Sequence, residues 1–506
     1  MKPKVYQFFT GVFASFGSLL FGYDLGVIAQ VIASESYHRT FDTTDTSSDT
    51  GAVVALFTAG AFFGAMFASP TTEYTGRRWT ITIGAIIFIV GGILQTVANE
   101  ISHLMAGRFL AGLGVGFLTM IIPLYQAEIA HPSIRGRVTA LQQFMLGIGA
   151  LVASWVGWGC FRNYSDNRQW RIPLGIQIIP AVLLATLIFV FPESPRWLMD
   201  KGKQEECLKT LARLHSNGNI DDAWVIAEME QIQESIADEH ANKKSYFEIF
   251  RDISCFRRLL IACGLQASIQ MTGVSAIQYY SVTIYGQAGI NPEEALKYQA
   301  INSIIALIAQ VLCIAFIDHF GRRWTLIWGN LFNMLTFIIA TVMLAIYPPG
   351  VGTAAQGWGF IIVTWAYNFS FSATCGPLSW IIPAEIFDTQ TRAKGVALAT
   401  MTSFAFNTMI GQVTGIAMGS IGWKYYLVFV ICNLTNALCV WAFIPETKKL
   451  PLEEMNYLFT HAPWFVAGID KSKYTADYQA DLARRAERID KKLTAEHETG
   501  EHVSKT

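Results

Sequence analysis

A chain of 506 residues with 52% hydrophobic and only 15% charged side chains falls well short of the roughly 25% charged residues usual in water-soluble domains, and its mean hydropathy of +0.35 assigns most of it to lipid. The 37 basic and 38 acidic residues nearly cancel, which leaves no bulk positive charge to hold nucleic acid. The eight cysteines show no C-x-x-C spacing and most lie in apolar runs, so neither a disulfide framework nor a zinc site follows.

About 20 apolar residues cross a bilayer core of about 30 Å, and twelve such spans are predicted, near 7–31, 52–71, 80–98, 102–126, 137–160, 171–191, 259–285, 298–317, 324–347, 357–383, 395–418 and 423–444. The first runs past signal-peptide length and contains Asp24, so it reads as a helix that stays on the protein. Arg77 and Arg78 follow Gly76 in the loop after the second span. The fourth contains Arg108 and Gly112-Leu113-Gly114-Val115-Gly116; with no strand before it, this run reads as small-residue helix packing and not as a dinucleotide loop. Glu128 and Arg135 lie in the loop after the fourth span, and the acceptor sequence Asn163-Tyr164-Ser165 lies between the fifth and sixth. Residues 192–258 are polar, but Leu208, Leu211 and Leu214, then Ile226, Met229 and Ile232, recur at helical spacing over 204–215 and 221–240 and predict two amphipathic helices. The second six spans follow, and residues 474–498 are charged almost throughout, as in a solvated helix or disordered tail.

Three polar signatures repeat between the two sets of six spans. Gly76-Arg77-Arg78 returns as Gly321-Arg322-Arg323; Glu128 with Arg135 returns as Glu385 with Arg392; Pro192-Glu193 returns as Pro445-Glu446. The offsets are 245, 257 and 253 residues, and each pair occupies the same station in its half. Two six-helix halves of common origin form a transporter architecture, with substrate bound between them near the midplane. Lys and Arg are concentrated in the loops that would share a side with the N-terminus, the linker and the tail, so both termini are expected in the cytoplasm.

Asp24 and Arg108 are the charges well inside the spans, at matching depths. A charge in hydrocarbon is a functional-site hypothesis by default. Two readings stand: a static pair that orders the first half, or a carboxylate whose proton affinity depends on the nearness of Arg108. No cluster of His, Cys or acidic residues inside the spans suggests an enzyme, and no cofactor or metal is called for.

Phe21-Gly22-Tyr23-Asp24, Gly107-Arg108, the two Gly-Arg-Arg loops, Pro192-Glu193-Ser194-Pro195-Arg196-Trp197-Leu198 and Pro445-Glu446-Thr447-Lys448 together resemble the sugar porter family of the major facilitator superfamily, fungal proton-coupled members included. The resemblance implies an all-α integral membrane fold: twelve transmembrane helices in two pseudo-symmetric six-helix bundles, 1–191 and 259–446, with cytoplasmic linker helices (192–258) and a cytoplasmic tail (447–506). It implies sugar contacts at Phe21, Gln143, Gln266, Gln270, Tyr279, Phe371, Gly376 and Trp380. An acid at position 24 is associated in the family with proton symport. Arg77, Arg78, Glu128, Arg135, Glu193, Arg322, Arg323, Glu385, Arg392 and Glu446 are expected to form salt bridges between the bundles that exist only when a cytoplasmic gate is closed. The chain departs from the family pattern with Ile269, Ser275, Ala306 and Ser403 where amides are common; Asn302 and Asn407, one turn away from the last two, are candidates to compensate. The expected activity is import of a monosaccharide or related polyol with a proton, by a monomer in lipid, most simply in a plasma membrane. A facilitator of the same fold and a sugar-sensing transceptor are the alternatives.

Overall fold

The computed structural model describes residues 3–44, 47–130, 135–216, 218–241, 250–347, 354–387, 391–447, 458–460 and 463–467. The charged stretch 474–498 lies outside the described residues, as does the side chain of Arg135. Among the described residues all regular structure is helical. The spans are α1 (Val5–Ile32), α2 (Ser48–Thr75), α3 (Arg77–Val97), α4 (Ile101–Ile129), α5 (Arg135–Asn163) and α6 (Arg168–Val190) in the first half. In the second they are α7 (Ile253–Gln270, continued by Val274–Tyr279 and Ser281–Gln287), α8 (Pro292–Phe320), α9 (Arg322–Ile346), α10 (Ala354–Ala373 and Cys375–Ile386), α11 (Arg392–Ile421) and α12 (Tyr426–Phe443). Among the described residues, ten stretches are long and apolar enough to cross a membrane. One of these, Lys394–Phe443, turns back at the 3-10 segment Gly422–Tyr425, and α10 is interrupted at Thr374, which makes twelve crossings.

Several helices outrun the predicted spans. The 28 or 29 residues of α2, α4, α5 and α8 extend about 42 Å at 1.5 Å per residue, beyond the hydrocarbon, and hydropathy registers only the part in lipid. In α4, Gly112 lies against the Phe57 carbonyl of α2, and a Cβ on Gly114 would lie 2.6 Å from the Gly84 carbonyl of α3. Those glycines let α4 pack against two helices at backbone distance. Apolar side chains also cover the outside: Ile93 and Val97 on α3, Ile179 and Val190 on α6, Trp328 and Ile346 on α9, Ile431 and Leu438 on α12 are exposed, as suits helices whose solvent is lipid.

The first six helices pack mainly through α2 with α4, α3 with α4, α1 with α5 and α3 with α6, and the second six through α9 with α12, α7 with α11, and α10 with α8 and α9. The halves meet where α2 packs on α11 and α5 on α8. The linker helices Gln204–His215 and Ala223–Ala241 lie where the spacing predicts them and attach to the first half: the Gln7 amide of α1 donates to the Leu214 carbonyl at 2.7 Å. One detail differs. Val225 and Ile236 are buried, Met229 and Ile232 partly so, and Ile226 is exposed, so the buried stripe of the second linker helix starts one residue earlier than expected.

Candidate functional site

Asp24 and Arg108 meet. Asp24 lies eight residues before the end of α1 and Arg108 seven after the start of α4, about 12 and 10 Å along their helices. Nη1 of Arg108 donates to both carboxylate oxygens at 2.7 Å, with side chains 0% and 1% exposed. Two further contacts hold the guanidinium: Nε donates to the Val53 carbonyl of α2 at 3.1 Å, and the group lies 4.6 Å from the centroid of the Phe57 ring. The sequence gives no hint of either, because one partner is a main-chain oxygen and the other an ordinary apolar residue.

Across the interface the second half presents three hydrogen-bonded polar groups. Gly273, with φ +97, ends the regular winding of α7, so the predicted continuous span at 259–285 is in fact three pieces. Gln270 at this break donates to Ser403 of α11 at 3.0 Å and accepts from Ser275 at 2.7 Å. Tyr279 donates to Asn407 at 2.8 Å, and Gln266 to the Ser379 carbonyl of α10 at 2.9 Å. Phe21 of α1 reaches this set through Phe404, with ring centroids 5.8 Å apart. Phe371 stacks on Tyr367, and Gly376 is buried beside Phe371. Gln143 and Trp380 are half-buried, with no described hydrogen bond to the cluster. Asn302 is buried with Oδ1 unpartnered. A depression of about 720 Å³ lined by Ser36, Asn167 and Arg171 is built wholly from the first half and so is not the shared site.

The charged loops make close contacts inside each half. Arg77 makes a two-point contact with Glu128, Nε at 2.8 Å and Nη2 at 2.7 Å, and Arg322 pairs with Glu385 at 3.0 Å. Glu193 accepts from the amides of Arg77, Arg78 and Ser194 at 2.9–3.2 Å; Glu446 accepts from those of Arg322 and Arg323 at 2.9 and 3.2 Å. Each carboxylate thus caps the start of α3 or α9, whose first amides have no helical acceptor. Burial raises the Glu193 carboxyl above its ordinary range, against the lowering effect of those amides. Arg78 lies over Phe189, Arg323 donates to the Trp441 carbonyl, and Arg392 to that of Phe387 at 3.4 Å. Each of these described contacts lies within one half. The described hydrogen bonds between halves are on the opposite side from the linker, Thr58 with Thr408 at 2.8 Å and Gln412 to the Ser48 carbonyl at 3.2 Å.

The chain matches the family described as sugar (and other) transporter over residues 10–459. It is similar to the MFS-type transporter criB of Aspergillus cristatus, 33% identical over 89% of this chain and 92% of that one. It is also similar to a high-affinity glucose transporter of Kluyveromyces lactis, 30% identical over 90% of this chain and 86% of that one. Among solved structures, the proton:xylose symporter XylE from E. coli, bound to 6-bromo-6-deoxy-D-glucose, matches with a TM-score of 0.74 and 26% identity, over 90% of this chain and 99% of that one. With its two six-helix halves and a family match over nearly its whole length, the chain belongs to the sugar porter family of the major facilitator superfamily, as a multi-pass sugar transporter and not an enzyme.

Proposed function

We propose that the protein imports a monosaccharide or related polyol together with a proton, by alternating access between residues 1–191 and 259–446. The observation that carries the coupling is the double anchoring of Arg108. Because Val53 and Phe57 hold the guanidinium independently of Asp24, the carboxylate can be protonated without leaving a buried cation stranded, a loss that otherwise costs about 3–5 kcal/mol. Protonation then weakens the Asp24 to Arg108 attraction and frees α1 to shift against α4. The similar protein XylE is a proton:xylose symporter, which supports the same reading.

Gln143, Gln266, Gln270, Ser275, Tyr279, Ser403 and Asn407 supply hydroxyl and amide partners for substrate in this reading, and Phe21, Phe371 and Trp380 supply apolar faces for its C–H surface, with Gly376 leaving room beside Phe371. The ten loop residues form the cytoplasmic gate in this reading, with salt bridges between the halves when the inner side is closed, while Glu193 and Glu446 fix the starts of α3 and α9. The linker (192–258) braces the first half, the linker side and the tail (447–506) face the cytoplasm, and the protein acts as a monomer in the plasma membrane. The test is to express the protein in cells lacking sugar carriers, add glucose, xylose or sorbitol to unbuffered medium, and record uptake and external pH. Uptake with alkalinisation is expected. Uptake without it assigns the fold to a facilitator with a static Asp24–Arg108 pair.

A further inference from the structure

We propose that Gln310, on α8, is a specificity-determining residue that accepts a hydrogen bond from a hydroxyl of the transported sugar or polyol; this rests on the sugar-import reading above. Gln310 is buried, and its Oε1 has no hydrogen-bond partner. A carbonyl left unpaired in a low-dielectric interior is costly, and a polar group kept so needs a reason. A donor that arrives with the substrate is one.

The position agrees. A Cβ built on Gly147 of α5 would lie 2.5 Å from Gln310 Oε1, so the amide oxygen faces the opposite half. Leu146, next to Gly147, places its carbonyl against Gly22 of α1. Gly22 follows Phe21, Phe21 meets Phe404, and Ser403 beside it accepts from Gln270. Gln310, Gly147, Phe21, Ser403 and Gln270 therefore belong to one transverse layer that crosses the interface twice. Gln143 lies one turn from Gly147 along α5, on the same helical face.

The chemistry narrows the ligand. On the α8 face that carries Gln310, residues four and eight positions earlier are Ala306 and Asn302, and Asn302 Oδ1 is also buried without a partner. Two unpaired acceptors separated by an apolar step suit a molecule with spaced donors. Neutral sugars and polyols donate from every hydroxyl, whereas an ionised carboxylate can only accept. The layer therefore suits a polyhydroxy substrate, whose hydroxyls can donate to both oxygens.

The test uses the full-length protein in sugar-carrier-null cells, with inhibition constants for glucose and for its 2-deoxy, 3-deoxy and 6-deoxy analogues, in wild type and in Gln310→Met, which is similar in volume. Wild type should bind one analogue about fivefold more weakly than glucose. Gln310→Met should weaken glucose by a similar factor and leave that analogue unchanged, so that their ratio falls to about one, as a shared contact requires, with the other ratios intact. Unchanged ratios throughout, with the variant at the surface, overturn the role of Gln310 while leaving sugar import standing. If Gln310→Met fails to reach the surface, Gly147→Ala, which pushes a Cβ toward Oε1 with Gln310 in place, must give the same collapse of one ratio, and its absence overturns the proposal. A wild type that carries neither glucose, xylose nor sorbitol refutes the import reading itself, and the role of Gln310 falls with it.

Discussion

Charged side chains in apolar spans are conspicuous in a sequence, and Asp24 and Arg108 are found by that criterion alone. Their supports are not, because the Val53 carbonyl and the Phe57 ring become partners only when α2 is wound beside α4. The Gly76 and Gly321 turns present the reverse case: the residues are plain in the repeat, but their role as capped helix starts needs the positions of Glu193 and Glu446. Gly76 has φ +89, and a Cβ there would lie 2.9 Å from Glu193 Oε2. Gly218 has φ +95 with nothing within 4 Å, so it isolates backbone strain from crowding. Gly76→Ala should cost about 1–2 kcal/mol from strain plus the displaced cap, and should lower the unfolding temperature of purified protein more than Gly218→Ala does. Equal shifts would mean that the carboxylate moves aside freely.

Periodicity locates the helices, including the linker pair, but it does not register where a helix stops winding and starts again without proline. Met271, Thr272 and Gly273 look like the interior of one span, yet α7 breaks there. The Thr272 carbonyl released by the break accepts from Tyr367 of α10 at 3.1 Å and from Asn433 of α12 at 3.1 Å. Two helices thus fix the point about which the last part of α7 is set. Tyr367→Phe and Asn433→Leu should each remove a hydrogen bond of about 1 kcal/mol and act mainly on the turnover rate, because the bonds they lose are to the hinge and not to the polar layer. Initial-rate kinetics normalised to surface protein check this. A change confined to KM, with the maximal rate unaltered, would make these residues substrate contacts.

At the scale of the molecule, the repeat reveals two halves but not which pairs of charges join. Similar offsets are satisfied whether a pair bridges the halves or lies inside each; the described pairs Arg77 with Glu128 and Arg322 with Glu385 lie inside each half. The side on which the halves are joined, through Thr58 with Thr408 and Gln412 with Ser48, is likewise not legible, since those residues carry no pattern of their own. Orientation, inferred from the distribution of Lys and Arg, can be tested directly. With the exposed Cys439 removed, a cysteine at Asn163 should react with an impermeant thiol reagent on intact cells, and one at Lys203 should not. The opposite labelling would invert the topology.

Coupling through Asp24 is tested by Asp24→Asn, measured for sugar accumulation, proton uptake and surface expression together. The amide keeps the size and a hydrogen-bond acceptor for Arg108, while Val53 and Phe57 retain the guanidinium. The expected variant is well expressed and still carries sugar downhill or by exchange but no longer concentrates it or alkalinises the medium. A well-expressed Asp24→Asn protein that still concentrates sugar and takes up protons would contradict it.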